Sequence, residues 1–87
     1  MNQQEIFQQA SGLRKTAENR IRAGHGEEPV ESIVRSAAEI LVRVATQLNG
    51  HNPVLQTLSV YRGMTWLEIF SLAQTVCTFA NPSEPRR

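Results

Sequence analysis

The chain predicts an all-α fold: a compact four-helix domain of two long helices, a short third and a capped apolar fourth, expected to be oligomeric. Three observations carry this. Apolar residues recur at steps of three and four, with no alternating strand pattern. Glycine, proline and capping residues punctuate the chain between those runs. The last run is apolar over roughly two-thirds of its helical wheel, whereas a surface helix carries a stripe a little over 100° wide.

Helix 1 is expected over 3–23, where Ile6, Ala10, Leu13, Ala17 and Ile21 form one stripe and Phe7 widens it. Gly24 and Gly26 end it. Gly12 lies inside it, at a cost of about 1 kcal/mol relative to Ala, and predicts a kink or a close helix contact. Helix 2 is expected from Pro29, a residue favoured in a first helical turn, to Asn49 and Gly50, where glycine can take the left-handed conformation. Glu31, Arg35, Glu39 and Arg43 form a polar ladder at four-residue steps. The remaining circumference is apolar over more than half the wheel, so helix 2 is expected to be central and packed on two sides.

Asn52 as N-cap and Pro53 in the first turn open a third helix over 53–62, with Val54, Leu55, Leu58 and Tyr61 inward. Gly63 ends it. Thr65 and Glu68 form a capping box that fixes the start of helix 4 at Trp66, and this is the best specified boundary in the chain. Helix 4 runs to Ala80, where Asn81 and Pro82 stop it. Residues 1–82 thus read as a single helical domain and 83–87 as a flexible tail.

With 87 residues the chain has room for one modest core, burying about 60–65% of its unfolded surface, so association would add materially to its stability. A hydrophobic content of 40% against 20% charged residues excludes wholesale disorder, and a net charge of +1 gives no global pull towards nucleic acid or membrane. All eight acids are Glu and Lys15 is the only lysine, a bias that suits helices. The polar start leads into no apolar leader, and no run approaches the roughly 20 apolar residues that span a bilayer. A cytoplasmic protein with no membrane partner is expected. The single cysteine, Cys77, fits a reducing compartment and, on an apolar face, reads as a buried inert thiol.

No catalytic set is present: there is no phosphate loop, nucleophile elbow or Ser/His/Asp grouping, so the chain is not expected to be an enzyme or to carry a cofactor. His25 and His51 sit about 30 Å apart across helix 2 and no Cys/His spacing provides a metal site. Each histidine reads as a partner for exposed carbonyls at a helix end. The function expected is therefore that of a regulatory or interaction module that self-associates, as a homodimer or higher, and binds another protein. Its interface is expected at Leu67, Ile69, Leu72, Val76 and Phe79, on the flanks of helix 4. The alternative is a binder of a phosphate-bearing ligand, nucleotide or nucleic acid. It would use the basic face of Arg14, Lys15 and Arg22, with Tyr61, Arg62 and Trp66 stacking or clamping.

Two resemblances bear on these alternatives. The stretch 62–69, with Gly63, the capping Thr65 and the amphipathic start of helix 4, resembles the opening of helix-turn-helix units, which implies DNA reading. No recognition helix follows it, and helix 4 offers Glu68, Ser71, Gln74, Thr75 and Thr78 with no arginine. The plan of two long helices, a short third and a fourth resembles that of the colicin-type immunity proteins. Their acidic surface around helix 3 has no counterpart here, so that likeness is one of architecture.

Overall fold

The structure is a computed structural model, and it describes residues 2–50 and 52–80. Four helices make up the described part: α1 (Gln3–Arg22), α2 (Ser32–Leu48), α3 (Pro53–Gln56) and α4 (Trp66–Phe79). The all-α expectation holds, and no strand occurs among the described residues. No helix among them is long and apolar enough to cross a membrane. Asn81, Pro82, the tail and His51 lie outside the described residues.

Both ends of the α1–α4 pair are set by capping boxes. In α4 the Thr65 N–H donates to the Glu68 carboxylate at 2.9 Å and the Glu68 N–H donates to Thr65 Oγ1 at 3.4 Å, as the sequence predicts. In α1 the same reciprocal arrangement joins Asn2 and Glu5, at 3.0 and 2.9 Å. Gly12 brings neither kink nor contact: α1 is continuous through it, and a Cβ there would meet nothing within 4 Å. Gly12→Ala is therefore expected to stabilise the fold by about 0.5–1 kcal/mol, read as a higher urea midpoint at unchanged slope. A loss of stability would contradict the open placement.

Helix 2 begins three residues later than its proline suggests. The backbone around Pro29 is committed elsewhere: Pro29 bridges Thr65, the Val30 N–H donates to Met64 O at 2.8 Å, and the Trp66 and Leu67 N–H groups donate to Glu28 and Gly26 carbonyls at 3.2 and 3.0 Å. Pro29 thus joins the connection after α1 to the start of α4, and α2 follows with Glu31 as an N-cap that makes no side-chain bond. Helix 3 is also shorter than expected. The Thr57 hydroxyl takes the Val54 carbonyl at 2.6 Å, and the Thr57 and Leu58 N–H groups reach back only three residues, so the turn tightens and stops. Leu55 is buried as expected and Leu58 is half-buried, but Val54 and Tyr61 are exposed.

The core lies between α1 and α4, whose pairing is much the most extensive in the molecule. Ile6, Ala10 and Ala17 of α1 meet Trp66, Ile69, Leu72 and Val76 of α4, while α2 contributes Ala38, Leu41, Val42 and Ala45 from one side. The small alanines of α1 bring the two backbones close, and each large α4 side chain buried this way contributes about 1.5–3 kcal/mol. Reciprocal amide bonds between Gln3 and Asn49, at 2.7 and 3.2 Å, tie the start of α1 to the end of α2. The expectation of a central helix 2 is corrected: α4 is central, and α2 lies at the edge.

Candidate functional site

The placement of α2 follows from its sequence. Val34, Ala38, Leu41 and Ala45 share one stripe, and those four side chains face the core. A second apolar stripe, Ile33, Ala37, Ile40, Val44 and Leu48, runs one residue behind it, about 100° round the helix. That second stripe is left open. Ile33 is 76% exposed, Ile40 and Leu48 are each 49% exposed, Ala37 is exposed and Val44 is half-buried. Its steps are four, three, four and four, and those from Ile33 to Val44 follow the four-three alternation of a seam where one helix packs against another. Beyond the seam lies a polar flank of Ser36, Arg43 and Gln47, with Arg43 paired to Glu39 at 3.2 Å. Of the ladder expected on this helix, that pair is formed, while Arg35 is half-buried and Glu31 serves as the N-cap.

The residues expected to form the interface on α4 are mostly used by the chain itself. Ile69 and Val76 are fully buried, Leu72 is 3% exposed, and Phe79 packs half-buried against the core. Only Leu67 stays largely open, at 46%, and it lies over Gly26, where an added Cβ would come within 3.1 Å of its Cγ. The physical reason is that α1 runs along α4 and the 26–30 connection closes over its first turn. The uncovered apolar side chains that form a continuous row among the described residues therefore lie on α2, while Val54, Tyr61 and Leu67 are exposed elsewhere. The apolar width of α2 was visible in the sequence, but which half of it the chain covers was not.

The proposed anion-binding residues are dispersed. Trp66 is 3% exposed, and the cation over its ring is Arg20, with the guanidinium carbon 5.4 Å from the ring centroid. The indole face is thus already occupied by a residue outside the expected set. Arg22 pairs with Glu18 at 3.1 Å, Arg14 turns to the Cys77 thiol, and Lys15, Tyr61 and Arg62 are exposed. The start of α4 offers no free anion site either, because its first three N–H groups are taken by Glu28 O, Gly26 O and the Thr65 hydroxyl. Neither the clamp around Trp66 nor a helix-turn-helix reader is assembled by this arrangement.

His25 hydrogen-bonds the Glu28 carboxylate through Nδ1, within the connection that covers α4, rather than a helix-end carbonyl. No group of three His, Cys or acidic side chains suited to a metal occurs among the described residues. Burial pushes the Cys77 thiol above its ordinary pKa, and the adjacent Arg14 guanidinium, which also hydrogen-bonds it, offsets only part of that rise. Since the thiolate is the reactive form, Cys77 is expected to alkylate with iodoacetamide at neutral pH several-fold more slowly in the folded protein than in urea. Equal rates would contradict the half-buried placement.

No family model, curated protein or solved structure matches this chain. The functional reading therefore rests on its own surface.

Proposed function

We propose that the protein is a non-catalytic helical interaction module that self-associates and binds a further protein, and that the outer stripe of α2 is the face it associates through. The observation that carries this reading is Ile33 at 76% exposure, continued by Ile40 and Leu48 along one seam. Aliphatic side chains in such a row have no local reason to face water, whereas isolated exposed leucines and valines are ordinary. Tyr61 and Leu67, also exposed, offer apolar surface near the start of α4 for a different protein. A single cysteine held as a thiol suits a reducing compartment such as the cytoplasm.

The seam also sets the strength of association. A helix of 17 residues is about 25 Å long, so two such seams face to face fall at the low end of the roughly 1,200–2,000 Å² buried by stable interfaces. Association through α2 alone is then weak and depends on concentration. Light-scattering mass is expected to rise from monomer towards dimer between micromolar and millimolar protein. Ile33→Glu combined with Ile40→Glu is expected to hold the mass at monomer with helicity unchanged. A monomer at every concentration, or a dimer indifferent to the double substitution, would overturn the reading.

A further inference from the structure

We propose that α2 pairs antiparallel with α2 of a second copy, about a two-fold axis beside Ile40. This rests on the self-association proposed above and adds its geometry. The open stripe is close to self-complementary when reversed. Setting Ile33 opposite Leu48 of the second copy puts Ala37 opposite Val44 and brings the two Ile40 side chains within one residue of level. A small residue then faces a branched one on either side of the axis, so the helices can approach to the 8–10 Å of packed pairs. Parallel pairing would instead set Ala37 against Ala37 and leave a gap at that layer.

Charge selects the same orientation. In an antiparallel pair the two polar flanks of α2 meet each other. In this register Glu39 lies one residue from level with Arg43 of the second copy, and the reverse contact is equivalent by symmetry. Each Glu39–Arg43 pair, 3.2 Å apart within its own helix, becomes half of a four-charge group across the axis. Parallel pairing would instead turn the Arg43 flank of each copy towards the side of its neighbour that packs on the core, where Ala38, Leu41 and Ala45 are already covered and no acidic flank meets it. The antiparallel operation also places both α1–α4 bodies on the same side of the α2 pair. Contacts between the bodies can then add to the area of the short seam, which a parallel pair, with the bodies on opposite sides, could not do.

Cysteine crosslinking in a Cys77→Ser background tests this, read as dimer on a non-reducing gel after mild oxidation, with light-scattering mass recorded on each variant. Ile40→Cys alone is expected to crosslink. Ile33→Cys alone is expected not to, because antiparallel pairing holds the two positions about 22 Å apart along the axis. A mixture of Ile33→Cys and Leu48→Cys chains is expected to crosslink to each other. Strong crosslinking of Ile33→Cys alone would mean a parallel pair and would overturn the proposal while leaving self-association intact. A dimeric mass with no crosslink at any position would place the interface off α2 and would also overturn it. A monomeric mass throughout would remove the self-association as well.

Discussion

Leu72→Glu is expected to abolish the fold. Leu72 is 3% exposed on the face of α4 that meets the rest of the core, and the core contains no buried polar or charged residue among those described. A glutamate there has no cation or donor to meet, and an uncompensated buried charge costs about 3–5 kcal/mol. Loss of the leucine packing adds to that, against a total stability of roughly 5–15 kcal/mol for a domain and towards the lower end for a short chain. Far-ultraviolet circular dichroism is expected to show loss of helicity at room temperature. The contrast is Ile33→Glu, which alters a residue 76% exposed on α2 and is expected to keep its melting profile. If Leu72→Glu stayed helical and merely lowered the mass, Leu72 would belong to an interface and the α1–α4 packing would be wrong.

Trp66→Ala is expected to cost about 3–5 kcal/mol, the range for removing a buried aromatic. Three features converge on this residue. Its ring is covered by Arg20, its side chain lies in the core between α1 and α4, and its N–H holds the Glu28 carbonyl that anchors the connection after α1. The backbone bond survives substitution, so the loss comes from the cavity and from the stranded Arg20 cover. Trp66→Phe, which keeps a ring beneath the guanidinium, is expected to lose much less. Urea unfolding followed by circular dichroism reads both. A cost below about 1 kcal/mol for the alanine variant would mean that the site is not part of a packed core.

Much of the fold can be read from short-range chemistry. Thr65 and Glu68 state where α4 begins because the capping box is a contact between residues three apart, and the α1 stripe through Ile6, Ala10 and Ala17 is equally local. Gly63, at φ +88°, stands at a turn that the sequence marks correctly. Pro29 misleads because the partner that decides its role, Thr65, is far along the chain. The third helix fails for a local reason that its apolar residues conceal: Thr57 hydrogen-bonds back to Val54 O.

The site is where periodicity runs out. On α2 the stripes beginning at Ile33 and at Val34 have nearly the same composition and spacing, and only the position of α1 and α4 decides that the second is core and the first is open. On α4 the same uncertainty runs the other way, because an apolar arc wide enough to suggest an interface is what a central helix needs. Arg20 lies off the basic face of Arg14, Lys15 and Arg22 in the sequence, and nothing there marks it as the cover of Trp66, since its distinction is the indole beneath it.

The most direct test uses the five isoleucines, Ile6, Ile21, Ile33, Ile40 and Ile69, which sample both the core and the open face. Methyl-selective labelling at isoleucine and a dilution series of two-dimensional methyl spectra would read each one separately. The predicted result is that the Ile33 and Ile40 methyl signals shift or broaden as the concentration rises, while those of Ile6 and Ile69 stay fixed. Movement of the Ile69 signal with Ile33 and Ile40 unaffected would contradict the account and return the interface to α4.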